Sequence, residues 1–283
     1  MLFLIKLIQI LSLKHLTDMG PVSFQILSDL HLETHPSYKS FEFAQTASYL
    51  ALLGDIGHVA NDQLFSFLES QLERYTVVFF VLGNHDPYHL SFKVAKAKIL
   101  NFQTRMNKRS LLGKFIFLDQ TRHDVTNDLT ILGCTLFSHI SPQQELAIES
   151  RMIDFRDILR WTVDDHNEAH ESDLNWLNAQ VSTISKDEPH RRIVILTHHG
   201  PSVDTRCIEP KHIQSEVSSG FTTDLSAEEC WTNSAVVAWA YGHTHYNCAF
   251  TDSRGKAVIS NQKGYRLVPA KEFDPGRVFK FGE

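Results

Sequence analysis

The residues of this chain that could do chemistry fall in five short motifs: Asp29-Leu30-His31, Gly54-Asp55, Gly83-Asn84-His85-Asp86, His198-His199 and Gly242-His243-Thr244-His245. They offer carboxylate, imidazole and amide oxygen, with no thiolate. Such a donor set suits ions such as Mn, Fe or Zn rather than a structural zinc held by cysteines. The donors outnumber what one ion needs, and two ions about 3.5–4 Å apart that share one carboxylate would use them. His85 is the residue type that exchanges a proton near neutral pH, and Asp86 beside it could hold one imidazole tautomer. Any single motif is more often a helix cap or a hydrogen-bonded core histidine than a ligand. Five in succession are hard to dismiss as caps.

Each motif ends an apolar run: Val22–Leu27, Tyr49–Leu53, Val77–Leu82, Arg192–Leu196 and Ala235–Ala240. Runs of this length and composition predict buried strands, and polar motifs at their carboxyl ends are the pattern of an α/β sheet that carries a site there. Asp62 is expected to cap a helix running to about Arg74, with Leu64, Phe65, Leu68 and Leu72 on one face. Phe92 to Met106 reads as a second helix. Lys114–Leu118 and Leu129–Gly133 read as short strands of a second sheet with antiparallel pairing. A polar helical insertion is expected over 141–188, with Ile153, Phe155, Ile158, Trp161, Leu174, Trp176, Leu177 and Val181 as core stripes. His35 to Gln45 reads as a loop, and so do about thirty residues after Pro201; a loop that long is usually functional or mobile.

At 283 residues and 42% hydrophobic content the chain can bury a full core, and it shows no repeat, linker or low-complexity stretch, so residues 19–283 read as a single domain. A formal charge of −6, a pI near 6.2 and the lack of any Lys/Arg run argue against a phosphate-tracking nucleic-acid surface. Cys134, Cys207, Cys230 and Cys248 are far apart and form no C-x-x-C, which reads as reduced thiols of a cytoplasmic protein. Residues 1–18 are apolar but broken by Lys6, Gln9, Lys14 and His15. They read either as an amphipathic helix, the one segment able to touch a membrane, or as an extension ahead of Met19-Gly20-Pro21.

The ordered motifs from Ser23 to Tyr265 resemble the calcineurin-like metallophosphoesterase superfamily. Thr197-His-His-Gly-Pro-Ser202, Gly220-Phe-Thr-Thr-Asp-Leu225, Trp239-Ala-Tyr-Gly-His-Thr-His245 and Asn261-Gln-Lys-Gly-Tyr265 are similar to its branch of small stand-alone members. The resemblance implies a four-layer αββα sandwich of two mixed β-sheets flanked by helices. It implies that Asp29, His31 and His245 hold one ion, that Asn84, His198 and His243 hold the other, and that Asp55 bridges them. A hydroxide between the ions would then attack phosphorus in line, with His85 serving the leaving oxygen and Asp86 fixing its tautomer. Asp86-Pro87-Tyr88 stands where Glu and an aromatic are usual in the branch, and Gln262-Lys263 where Pro-Arg is commoner. These departures bear on the pocket, which His58, Tyr88, His199 and Tyr241 are expected to line. A phosphodiester or small phosphorylated metabolite is the expected substrate. The alternatives are Lewis-acid chemistry on a non-phosphate substrate and a non-catalytic scaffold.

Overall fold

A computed structural model describes residues 21–34 and 37–281, so the expectations for residues 1–18 and for the start of the loop at His35 lie outside the described residues. Four parallel strands form most of the first sheet: β1 (Val22–Leu27), β2 (Tyr49–Leu53), β3 (Val77–Val81) and β4 (Lys114–Phe117). The antiparallel β13 (Val278–Phe281) closes its edge beside β1. In the second sheet β6 (Leu129–Cys134), β7 (Arg192–Thr197), β8 (Val236–Tyr241) and β10 (Ala257–Ser260) run parallel. Antiparallel β5 (Thr121–Asp124) and β9 (Ala249–Thr251) flank them, and β11 (Gly264–Tyr265) pairs with β12 (Val268–Pro269) apart from both sheets.

Alternation along the strands explains the layering. Ala51, Leu53, Phe79 and Val81 point between the sheets, where they meet Ile131, Val194, Leu196 and Ala240. Their neighbours Leu50, Leu52, Val78 and Phe80 point outward, under α1 (Asp62–Leu72) and α2 (Phe92–Met106), onto Leu64, Leu68, Ile99 and Phe102. The outer face of the second sheet, with Leu132, Ile195 and Trp239, is covered by Leu177, Val181 and Ile184 of α5 (Val163–Asp187). Strands buried on both faces must be apolar at nearly every position, which is why the runs stood out in the sequence. The arrangement is the αββα sandwich that the resemblance implies.

Four details differ from expectation. β4 belongs to the first sheet, parallel to β3, because α2 carries the chain back over the sheet before β4 begins. The antiparallel partner of β6 is β5, whose Thr-Arg-His-Asp sequence has no apolar pattern because it is a half-exposed edge. The cap of α1 is Asn61, whose side chain accepts the Gln63 amide at 3.0 Å, and the helix ends at Leu72. The insertion comprises α3 (Glu145–Arg151), α4 (Asp154–Asp157) and the 25-residue α5, whose start is fixed by a Thr162–Asp165 capping box; within it Ile153 is 43% exposed rather than core. Among the described residues no helix is long and apolar enough to cross a membrane.

The inner face of α5 buries His166 completely, its Nε2 at 3.3 Å from the Ser138 amide and its Nδ1 without a partner. Burial pushes its pKa down to about 3. Below the ordinary histidine value, therefore, the unfolded chain binds a proton that the folded chain refuses, and stability falls as pH falls. His166→Phe is expected to reduce that slope by up to about 1.4 kcal/mol per pH unit, read from urea melts of both proteins between about pH 7 and 5.

Candidate metal centre

The carboxyl ends of β1, β2, β3, β7 and β8 meet at one rim, and the predicted ligands come together there. Asp29, His31 and His245 form one group and Asp55, His198 and His243 another, the offered atoms of each group lying within 4.8 Å of one another. In the first, His245 Nε2 is 3.2 Å from Asp29 Oδ1 and 3.0 Å from His31 Nε2. In the second, His198 Nε2 is 3.0 Å from Asn84 Oδ1. Asp55 faces both groups, with Oδ2 at 3.8 Å from His31 Nε2 and Oδ1 at 3.5 Å from His198 Nε2.

The backbone is bent to achieve this. Asp29, His31, Asp55, His243 and His245 all have φ between 46° and 69°, in the left-handed region that costs a side-chain-bearing residue about 1–2 kcal/mol. Hydrogen bonds between the strand ends hold them: Asp29 N to Gly54 O (3.0 Å), His31 N to Asp55 O (2.9 Å) and Gly242 N to His198 O (2.9 Å). Close approach also explains two of the motif glycines. A Cβ at Gly83 would strike Asp55 Oδ1, and one at Gly242 would strike Ser28 Oγ and the Asp29 carboxylate.

Proton bookkeeping tests whether these residues fit metal ions. His31 Nδ1 lies 3.0 Å from Glu33 Oε1 and must carry the proton, so its Nε2 lone pair points at the centre. His198 Nδ1 donates to Leu53 O at 2.8 Å, so its Nε2 lone pair faces Asn84 and Asp55 oxygens. His243 Nε2 is 3.3 Å from Gly220 O, which leaves Nδ1 as its free lone pair. Asn84 donates through Nδ2 to Asp154 Oδ1 at 2.8 Å, which turns its oxygen toward the centre. Imidazole lone pairs thus face carboxylate and amide oxygens, and burial lowers the pKa of His198 to about 4 and that of His243 well below the ordinary value, so these imidazoles offer lone pairs rather than protons. Neutral imidazoles oriented by backbone and carboxylate partners are how proteins hold such cations. The residues fit a dinuclear site.

His85 stands beside the ligands, its ring stacked on Tyr88 (4.4 Å between centroids) and its Nε2 3.1 Å from the Tyr265 hydroxyl. Burial and the surrounding imidazoles hold its pKa well below the ordinary value. Asp86 does not orient it. The Asp86 carboxylate is fully buried and accepts the amides of Asp55, Ile56, Gly57 and Gly83 at 2.6–3.0 Å, tying the ends of β2 and β3 together. Adjacent side chains in this turn point apart, so the sequence neighbour of His85 is not its spatial partner. The carboxylate near His85 is Glu33, with Oε1 3.9 Å from His85 Nδ1 and a buried Oε2 that has no partner. Its position two residues after His31 was the available signal.

Of the four expected pocket residues, Tyr88 lines the cleft and donates its hydroxyl hydrogen to Asp154. The other three do not line it. His199 is fully buried, 4.1 Å from His243 between ring centroids, with both ring nitrogens unbonded. Tyr241 points into the core outside the second sheet, its hydroxyl 3.3 Å from Cys248 Sγ. His58 packs against Tyr88 and His89. Asp154, a buried acid on the insertion, was not legible because no local pattern marks it. Asp154→Ala is expected to weaken binding of an ion at Asn84, His198 and His243 by about 10–100-fold, since Asn84 loses its orienting partner. Metal titration followed by mass spectrometry would check this, with the first ion retained.

A family model described as calcineurin-like phosphoesterase matches residues 22–247. An uncharacterized protein of Acanthamoeba polyphaga mimivirus is 29% identical over 230 residues, covering 77% of this chain and 78% of the relative. Among solved structures, a phosphopantetheinyl hydrolase from Mycobacterium tuberculosis superposes with a TM-score of 0.64 at 15% identity, over 87% of this chain and 91% of that one. A dimetal phosphatase from Danio rerio superposes with a TM-score of 0.50, also at 15% identity, over 85% and 87%. The structural likeness is one of fold. The family match covers β1 to β8, with strands of both sheets and every strand end that carries a candidate ligand, and on that ground the chain belongs to the calcineurin-like phosphoesterase family.

Proposed function

We propose that this protein is a dinuclear metal-dependent phosphoesterase acting on a phosphodiester or a small phosphorylated metabolite. The observation that carries the reading is the convergence of carboxylate, imidazole and amide oxygen ligand atoms in two groups, with Asp55 placed between them. Asp29, His31 and His245 would hold one ion, Asn84, His198 and His243 the other. Bound ions supply Lewis acidity and neutralise phosphoryl charge. The chain's own contribution is to place His85 at the cleft floor, where it can serve the leaving oxygen while Tyr265 and Tyr88 fix its ring.

The cleft supports a small substrate. It has a volume of about 890 Å³, within the range of small-molecule sites and far larger than a phosphate group. Met152, Ile153, Ile208 and Phe221 give it apolar walls, and Lys211 and Lys271 stand at its edge. An organic group joined to phosphate suits such walls. The test is metal analysis of the purified protein, then a screen of phosphomonoesters, diesters and cyclic nucleotides with Mn, Fe or Zn. Turnover with two ions per chain is expected. Two ions without cleavage of any phosphoester would move the reading to Lewis-acid chemistry on another substrate, and no bound ion would make the fold a scaffold.

A further inference from the structure

We propose that Glu33 is the positioning residue for His85, holding it as the Nδ1–H tautomer with Nε2 turned to the cleft. Asp86, the acid next to His85 in sequence, is occupied by four backbone amides and does not reach the ring. Glu33 reaches it from the turn that follows β1. That turn is pinned by His31 N to Asp55 O (2.9 Å), Leu32 N to Ile56 O (3.1 Å) and the Thr34 hydroxyl to His31 O (2.8 Å). It folds the Glu33 side chain inward until only 7% of it is exposed. Among the described residues its ion-pair partners are two imidazoles, with His31 Nδ1 at 3.0 Å and His85 Nδ1 at 3.9 Å from Oε1. Oε1 takes the His31 proton, and Oε2 is buried without a partner.

At the other end of the ring, His85 Nε2 is 3.1 Å from the Tyr265 hydroxyl, and Tyr88 stacks on the ring face. These two contacts fix the plane of the imidazole. They do not choose which nitrogen carries the proton, because a phenol hydroxyl both donates and accepts. Glu33 does choose. An ionised carboxylate only accepts, so a bare Nδ1 would set its lone pair against the Glu33 oxygens. The proton therefore belongs on Nδ1, and Nε2 accepts from Tyr265. His85 and Tyr265 both line the cleft, so Nε2 is the nitrogen presented to a bound substrate.

The tautomer follows from these contacts, while its value to catalysis rests on the phosphoesterase reading, in which His85 serves the leaving oxygen. Glu33 would then orient two side chains at once. Through Oε1 it fixes His31, a candidate ligand of the first ion, and from the same place it fixes His85, whose ring lies edge-on to His31 at 4.7 Å between centroids.

The test compares the full wild-type chain with Glu33→Gln by nitrogen NMR on isotope-labelled histidine, with zinc bound and after chelation; His85→Ala identifies the His85 signals. Wild type is expected to carry the His85 proton on Nδ1. In Glu33→Gln the amide oxygen can keep the His31 bond while its N–H₂ faces His85 Nδ1, so the proton should move to Nε2 and the pattern reverse. Turnover of alkyl phosphoesters should fall about 10–100-fold, the usual cost of losing an orienting partner, with KM little changed and two ions retained. A wild-type proton on Nε2, a Glu33→Gln spectrum with the wild-type pattern, or a reversed pattern with unchanged turnover would each overturn the proposal. The wild-type spectrum decides even where the variant does not fold. It needs no turnover, so a chain that shows the Nδ1–H tautomer but cleaves no phosphoester would fail the reaction and keep the tautomer, which tells the two failures apart.

Discussion

Asp55→Asn is expected to remove metal and activity together. Each oxygen of Asp55 serves a different ligand group, and Oδ1 also accepts the His85 amide at 2.8 Å. Asparagine keeps the volume and one oxygen, but it turns an N–H₂ toward an imidazole lone pair that an ion needs. Losing one fixed electrostatic contact in an active site costs about 10²–10³ in turnover, and this substitution affects two ions at once, so a fall beyond about 10³-fold is expected. Metal content should drop from two ions per chain to fewer than one. The fold should survive. In the metal-free protein the Asp55 carboxyl is pushed well above the carboxylate range by burial and by the Asp29 and Asp86 charges, so neutralising it relieves repulsion. Melts in chelator should show the variant at least as stable as wild type, while only wild type gains stability when metal is added. A variant that keeps two ions would show that Asp55 is not the bridge.

His85→Ala is expected to keep both ions and lose turnover by about 10²–10⁴-fold, the usual worth of a positioned proton donor. The loss should depend on the leaving group, being largest for alkyl esters, whose alkoxide needs a proton, and smallest for p-nitrophenyl esters, whose phenolate leaves unaided. Substrates of graded leaving-group pKa would measure this slope. His31, Glu33 and His85 also lie close enough together to hold an ion. Loss of metal in His85→Ala would therefore reassign His85 as a ligand, and an equal loss across all leaving groups would make it a structural residue.

The candidate ligands could be picked out together because each follows a run of apolar residues that has little choice but to be a buried strand. Asp29, Asp55 and Asn84 each follow such a run, and Gly54 and Gly83, just before Asp55 and Asn84, are required by close approach, Gly54 by its positive φ as well. Errors arose where the cause lay in pairing or packing. The apolar pattern of Lys114–Phe117 is the same in either sheet, and only the path through α2 assigns it to the first. Tyr241 and His199 carry attractive chemistry beside candidate ligands, yet the alternation of side chains sends Tyr241 into the outer core, and His199 is walled in by Phe137, His166 and His243.

What the sequence determined by itself is which strand ends bear clustered polar donors and what donor types they offer, because donor chemistry and strand burial are both local properties. The partners of those ligands were decided by the tertiary structure. Asp86 serves four backbone amides rather than its neighbour His85, Glu33 reaches His31 and His85 together, and Asp154 comes 70 residues along the chain to turn Asn84. A hydrogen bond needs two groups within about 3 Å, and for residues on different elements only the folded chain brings them that close.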